Sequence, residues 1–358
     1  MKVREIQNIV DLLKLAKISR IEDKKEDIRD LKELEATQFK LPENMEDILP
    51  IISVDGSYCF LFSFLGAETW IILFRIGVTE YSIAINNGAV HYIMNSKPKV
   101  YDHLNLISFN KNVLSSQPRA FSIAANINKS FSERNPQYFA SNIMTYLEDL
   151  TLEKISKTRK DCILLKDGAL LSFKSLEREP IYKSILQNCR DNDILLAGIS
   201  KSTSNHLLDD FYTDDYFLKR YYNKKYADLT YIPVPKKILE AQTRFDIWGE
   251  AHFVKLHKKA VKWFRIDILP HDRDKKDQLF SSIAAYSMVH LMPGYPIGLI
   301  ECHKIAKSAR DLKNAYELEL IESLKKLGLE PKDILEGAVD MNGRELYSFH
   351  EILDQQSR

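Results

Sequence analysis

The chain has 358 residues, of which 45% are hydrophobic and 28% are charged, with 12 glycines and 12 prolines. This balance is typical of a globular protein and excludes a collagen-like, rod-like coiled-coil or wholly disordered chain. Because 51 Lys and Arg residues meet 50 Asp and Glu residues, the net charge is +1, and any anionic partner must bind to local basic patches.

The N-terminal segment and the cysteines indicate the compartment. Residues 1–20 form an amphipathic helical pattern without the apolar segment and cleavage site of a signal peptide. The most apolar stretch, 58–74, is interrupted by Glu68 and is too short to span a bilayer, so we predict a β-hairpin there. The cysteines have neither C-x-x-C nor zinc-ligand spacing; they are Cys59, Cys162, Cys189 and Cys302. We therefore expect free thiols in a reducing cytoplasm.

The first third of the chain changes from a helical to a β pattern. Residues 3–36 carry two helical patterns, either a solvated helix pair or a partner-binding arm. From Ile51 onward, apolar runs separated by turn signals predict adjacent antiparallel strands. The first of these strands is predicted to end at Asp55. The predicted strands are 51–54, 58–65, 69–79, 81–85 and 89–94.

The second half alternates strands and helices. A helix is predicted over 137–158, followed by a strand at 162–165 that leads to Asp167. A helix near 175–190 and a strand at 194–197 complete a β-α-β pattern, which favours parallel pairing. The remaining predicted elements are strands within 228–270 and helices near 275–290, 298–310 and 312–326.

Three apolar strands end in similar sequences, namely VDGS at Asp55, KDGA at Asp167 and AGISK at Lys201. Ligands of α/β proteins bind beyond the carboxyl ends of parallel strands, where two carboxylates can hold a hard divalent cation. The alternative is ordinary turn chemistry, because Asp-Gly commonly follows a strand.

Further candidate residues lie on the helix and in the tail. Glu148 borders the apolar face of helix 137–158, whereas Asp149 is predicted to point outward, and either can be a solvated helix charge. Tyr295 lies in a Gly-Tyr-Pro loop that leads into a helix containing His303. Two basic-aromatic stretches, 216–226 and 255–265, either bind nucleic acid or form amphipathic surface elements.

In chain order, VDGS, the Leu-Glu helix, LLKDGALL, AGISKST and GYPIGLIECH resemble the motifs of the NurA nuclease family across residues 45–310. The resemblance implies an α/β fold with a ribonuclease-H-like mixed β-sheet core flanked by helices. The N-terminal arm, 1–44, and the C-terminal tail, 311–358, are then predicted to be helical additions.

The resemblance also implies a function. It implies a Mn²⁺-dependent deoxyribonuclease, with Mg²⁺ as an alternative, that processes DNA ends and also cuts single-stranded DNA. The partners implied are DNA, a second copy of the chain in a homodimer, and a HerA-type hexameric ATPase, in DNA repair or in defence against foreign DNA. The implied metal ligands are Asp55, Glu148 (or Glu153), Asp167 and His303. Lys201 and Tyr295 are implied catalytic residues.

Two departures from the family pattern leave alternatives open. Lys166 stands before Asp167 where an apolar residue is commoner, and Ala169 replaces a frequent serine. One alternative is a catalytically degenerate subunit of the same fold that docks DNA or the ATPase. A second is an actin-like or sugar-kinase-like phosphotransferase, against which the absence of a Gly-Gly adenosine loop argues.

Overall fold

The structure is a computed structural model. It describes residues 34–44, 48–64, 69–86, 89–108, 136–172, 179–201, 208, 213–222, 228–236, 238–239, 246–247, 249–290, 292–330 and 335–336. The helix pair predicted within residues 3–36 lies almost wholly outside these ranges. Residues 37–38, at the described end of the predicted N-terminal arm, form a short strand.

The strands are β1 (Thr37–Gln38), β2 (Ile51–Phe64), β3 (Thr69–Asn86), β4 (Ala89–Met94), β5 (Lys99–Ser108), β6 (Ile163–Asp167), β7 (Leu171–Ser172), β8 (Leu195–Ser200), β9 (Thr230–Pro233), β10 (Asp246–Ile247), β11 (Glu250–Lys255), β12 (Phe264–Ile268) and β13 (Leu335–Glu336). The helices are α1 (Pro136–Ser156), α2 (Glu179–Asp191), α3 (Asp214–Tyr221), α4 (Lys276–Ala285), α5 (Ile297–Lys307) and α6 (Lys313–Lys326). A 3₁₀ helix, Pro270–Lys275, precedes α4.

Eleven of the described strands form one mixed sheet in the order β1-β9-β11-β12-β8-β6-β2-β3-β4, with β5 paired to β3 and β13 paired to β2. Strand β3 pairs antiparallel with β2, β4 and β5. Strand β6 pairs parallel with β2 and β8. The predicted antiparallel and β-α-β segments are therefore confirmed, and so is the predicted mixed sheet flanked by helices.

The predicted end of the first strand at Asp55 is wrong. β2 continues to Phe64 because it pairs with β3 from Ile51 opposite Tyr81 to Phe64 opposite Thr69. The predicted strands 69–79 and 81–85 likewise form the single strand β3. A continuous antiparallel partner supplies hydrogen bonds through the Asp-Gly-Ser segment, so the turn signal has no effect there.

Helices cover both faces of the sheet, as the alternation of side chains along a strand requires. On one face, Ile51 and Leu165 pack in a core with Leu279 of α4 and Leu299 of α5. On the opposite face, side chains one residue away along the same strands pack against α1 and α2; this core includes Ile52, Val54, Leu164, Phe139, Ile143 and Ile185. We call these surfaces the α5 face and the α1 face.

Helix α5 approaches the sheet closely because small residues line the contact. A Cβ added at Gly298 would lie 2.3 Å from Ser53 Oγ, and one added at Gly77 would lie 3.0 Å from the Cys302 carbonyl oxygen. The Cys302 thiol also donates a hydrogen bond to the Ser53 carbonyl oxygen over 2.9 Å. These contacts fix α5 against β2 and β3 and thereby place the next residue, His303.

The basic-aromatic stretches contribute several side chains to the core. Trp263 is fully buried, Phe217 of α3 is buried, and the buried Lys255 ammonium donates to the Ala260 carbonyl oxygen over 2.7 Å. The alternative that bases stack on the tryptophan of the second stretch is therefore wrong, because the Trp263 ring is not accessible. Residues 223–226 of the first stretch lie outside the described residues.

All four cysteines are buried and free, which confirms the prediction of free thiols. None of the described helices combines the length and apolarity that crossing a membrane requires.

Candidate metal centre

Three side chains from separate elements converge on the α5 face. Asp55 lies within β2, Asp167 is the last residue of β6, and His303 lies on α5. One ligand atom from each of them lies within 4.8 Å of the other two, and His303 Nδ1 is 2.9 Å from Asp55 Oδ2. The fold therefore brings together three of the residues that the motif resemblance implied as metal ligands.

The sheet register explains the convergence. Val54 of β2 pairs with Lys166 of β6 in parallel, so that the following residues, Asp55 and Asp167, lie side by side. Ladder pairing between β2 and β6 stops there, because β6 ends while β2 continues along β3. The end of β6 thus opens a cleft beside the middle of β2.

Lys201 and Tyr295 surround Asp167. The Lys201 ammonium donates to Asp167 Oδ2 and lies 3.8 Å from Asp55 Oδ2. The Tyr295 hydroxyl donates to Asp167 Oδ1 over 3.2 Å, and its ring packs 5.4 Å from the Lys201 ammonium. Both residues are therefore placed with the candidate ligands, with Lys201 on the solvent side.

Glu148 reaches the same cleft from α1, on the opposite face of the sheet. Its carboxylate is buried, accepts a hydrogen bond from the Gly56 backbone N–H and lies 3.6 Å from Lys166 Nζ. A Cβ at Gly56 would lie 2.8 Å from Glu148 Oε1, so only glycine leaves room for this contact.

The other helix carboxylates are placed differently. Glu153, the alternative to Glu148, bonds to Lys157 one turn along α1, over 2.7 Å. The prediction that Asp149 points outward is wrong. Asp149 is fully buried, with Lys166 Nζ 2.5 Å from Oδ1 and the Tyr182 hydroxyl 3.3 Å from Oδ2. The reason is that α1 packs against both the sheet and α2, so its buried surface is wider than an amphipathic stripe.

A buried pair outside the predicted set holds the loop after Asp167. The Asp267 carboxylate accepts from the Leu170 backbone N–H over 2.9 Å and from the Arg265 guanidinium over 2.7 Å. Gly168 adopts φ +107°, a conformation that favours glycine. The tight turn and the buried anchor together fix where β6 delivers Asp167.

The clustered carboxylates repel one another. Burial, followed by the Asp167 and Glu148 carboxylates, raises the pKa of Asp55 to about 9. Burial also raises the pKa of Glu148 to about 7, although Lys166 opposes the shift. The pKa of the Tyr295 hydroxyl is raised well above its usual value by burial and by Asp167. Burial and the nearby Lys201 lower the pKa of His303.

These donors fit a divalent cation. Two carboxylates and one imidazole nitrogen are the ligand types that Mn²⁺ and related ions accept. Burial and, after it, the neighbouring carboxylates raise the pKa of Asp55, and a bound cation would oppose the repulsion among these carboxylates. The cleft has a volume of about 400 Å³ and is lined by both aspartates, Glu148 and His303.

Sequence reasoning missed the roles of Lys166 and Asp149. Lys166 was noted only as a departure from an apolar residue. Its position directly before Asp167 was the available signal, because neighbouring residues of a strand point to opposite faces.

No protein-family model and no curated protein matches the chain. Among solved structures, the chain is similar to the NurA nuclease from Sulfolobus solfataricus, with 14% identity, a TM-score of 0.49, and coverage of 91% of this chain and 98% of that chain. It is also similar to A. aeolicus Argonaute, with 10% identity, a TM-score of 0.27, and coverage of 76% of this chain and 29% of that chain. Similarities this low carry no conclusion about activity, so the function proposed below depends on the geometry of the cleft.

Proposed function

We propose that this protein is a divalent-metal-dependent nuclease that hydrolyses phosphodiester bonds of DNA. The observation that carries the proposal is the convergence of Asp55, Asp167 and His303 on one cleft, with a lysine at its mouth. Carboxylates with a nitrogen ligand hold a divalent ion, and the lysine adds the positive charge that an anionic substrate requires.

Each residue has a distinct part in the proposed reaction. Asp55, Asp167 and His303 hold the ion, which when bound would polarise the phosphate and lower the pKa of a water molecule. Lys201, with its side chain 37% exposed, neutralises the charge that develops on the scissile phosphate. Tyr295 orients Asp167 through its hydroxyl and excludes water from the inner side of the cleft.

A second groove supports a nucleic-acid substrate. It has a volume of about 570 Å³ and shares Gly56 and Met144 with the metal cleft. Its other lining residues include two aromatic and two basic side chains, Tyr58, Phe60, Arg310 and Lys313. Cations neutralise phosphates and aromatic rings stack on unpaired bases, so a single strand leaving the cleft would meet suitable partners.

Finer features of the proposal come from the motif resemblance. We propose Mn²⁺ as the preferred ion over Mg²⁺, because the His303 nitrogen suits the softer ion. We further propose end processing in the cytoplasm by a homodimer that acts with a HerA-type hexameric ATPase, in repair or in defence against foreign DNA. The buried free thiols are compatible with a reducing compartment.

The test is Mn²⁺-dependent cleavage of linear and circular DNA by the purified chain. We expect Asp55→Ala and Asp167→Ala each to abolish cleavage while the variants remain folded. Asp274→Ala, in the exposed part of the 3₁₀ helix, is the matched control and should retain full activity. Cleavage retained by either cleft variant would refute the assignment. An inactive wild-type chain that still binds DNA would favour the degenerate docking subunit.

A further inference from the structure

Lys166 lies on the α1 face directly behind the metal centre. Its side chain is 2% exposed, its ammonium is 2.5 Å from Asp149 Oδ1, and Glu148 Oε2 is 3.6 Å away. A lysine rooted in a central strand and covered by α1 cannot extend its ammonium to solvent. Its ammonium is therefore enclosed beside one of the cleft carboxylates.

We infer that the Lys166 ammonium occupies the place of a second divalent cation next to Glu148, so that the centre binds one metal ion per chain. The inference rests on the proposed metal-dependent function and specifies its ion count. Phosphodiester cleavage commonly uses two ions that share carboxylates. Here a protein ammonium would neutralise the carboxylate that otherwise completes a second site.

The division of the carboxylates between the faces supports this count. Asp55 and Asp167 share the α5 face with His303, and the ligand atoms of these three residues lie within 4.8 Å of one another. Glu148 is not in that set and is bound instead to the Gly56 N–H and close to Lys166. It lines the cleft from the side of α1, together with Lys166 and Gly56.

One divalent ion is enough to balance the charge of the cluster. The charged side chains around the cleft and behind it are four carboxylates and two ammonium groups: Asp55, Glu148, Asp149, Asp167, Lys166 and Lys201. Fully ionised, they carry two excess negative charges, which one divalent ion neutralises. Total charge does not set the ion count, because the proposed effect of Lys166 depends on where its ammonium lies, beside Glu148.

The experiment counts Mn²⁺ bound to the full-length chain without DNA, by isothermal titration calorimetry and by the electron paramagnetic resonance signal of free Mn²⁺. We expect one ion on the wild-type chain and two on Lys166→Met. Lys201→Met changes the total charge equally but lies away from Glu148, so it should still bind one ion. These readouts need no cleavage activity.

A double variant, Lys166→Met with Asp149→Asn, removes both members of the buried pair and keeps the total charge of the cluster. It should also bind two ions, and it replaces the single variant if that variant unfolds. Two ions on the wild-type chain, one ion on both Lys166 variants, or two on Lys201→Met would each overturn the inference. Binding of no ion by the wild-type chain would overturn the proposed metal centre itself. One bound ion without cleavage would instead contradict only the nuclease proposal.

Discussion

The two faces of the central sheet carry charged side chains that are neighbours along β6, with Lys166 on one face and Asp167 on the other, yet in opposite surroundings. On the α5 face, the nitrogen-bearing partners of the aspartates remain accessible, with the side chains of Lys201 and His303 37% and 51% exposed. On the α1 face, Lys166 and Asp149 are sealed, at 2% and 0%. The comparison indicates that the open face is arranged to exchange a ligand, whereas the sealed face holds its charges permanently.

The largest expected effect is a loss of folding stability when the charge on the α1 face is removed. Lys166→Met should lower the free energy of unfolding by about 3–5 kcal/mol, because it leaves the buried Asp149 carboxylate without its cation. Urea denaturation monitored by circular dichroism measures the change. Replacing the pair together, with Asp149→Leu, should be nearly neutral. A single variant as stable as wild type would mean that the α1 face is hydrated.

Lys201→Met should have the opposite profile. Its half-exposed ammonium should contribute less than about 1 kcal/mol to folding. The rate of DNA cleavage, however, should fall by about 10²–10³-fold, as for other groups that stabilise transition-state charge. Parallel denaturation and single-turnover cleavage assays give both quantities. Large destabilisation with an unchanged cleavage rate would show that Lys201 is structural.

A pH titration of the metal-free chain sharpens the comparison. Asp55 has a folded-state pKa of about 9 against 3.8 in the unfolded chain, so between these values the folded chain retains a proton that the unfolded chain releases. Stability should therefore fall as pH rises through this window, by at most about 1.4 kcal/mol per pH unit from this group. Asp55→Asn should remove that part of the slope in denaturation curves at pH 6 to 9. If the pH dependence of stability is the same in Asp55→Asn as in the wild type, a group other than Asp55 is responsible for it.

The smallest effect is expected at the exposed end of α1. Glu153→Gln removes a surface ion pair with Lys157, worth about 0.3–0.5 kcal/mol, and should leave Mn²⁺-dependent cleavage unchanged. Glu148→Gln in the same helix is the comparison and should reduce cleavage. If Glu153→Gln were the inactive variant, the assignment of the helix carboxylate would have to be reversed.

The sequence predicted the secondary structure well where periodicity and pairing agree. The helix at 137–158 and the strand before Asp167 are found within one or two residues of their predicted bounds. The end of the first strand was misjudged because Asp55-Gly56 is a turn signal only when no partner strand continues alongside. The pairing of β3 with this segment depends on the tertiary structure and cannot be recognised from the Asp-Gly sequence itself.

The candidate site was predicted in part. Asp55, Asp167 and His303 were found from motif order, but their proximity depends on the register of β2 against β6 and on the close packing of α5. The burial of Asp149 was missed because only one face of the helix was assumed to be buried. The sheet and α2 both pack against α1 and bury a wider part of its surface. The local sequence pattern of a helix does not predict how many other elements pack against it.

The mid-strand position of Asp55 has a consequence for how this protein can diverge. A single-residue insertion ahead of Asp55 would rotate its carboxylate toward Glu148 and leave an apolar side chain facing His303, because strand side chains alternate. Asp167, by contrast, ends its strand, so length changes beyond the turn that Asp267 anchors at Leu170 leave its carboxylate where β6 directs it. Related sequences can therefore vary in length in the loop that follows Asp167, whereas the number of residues in β2 before Asp55 must stay constant.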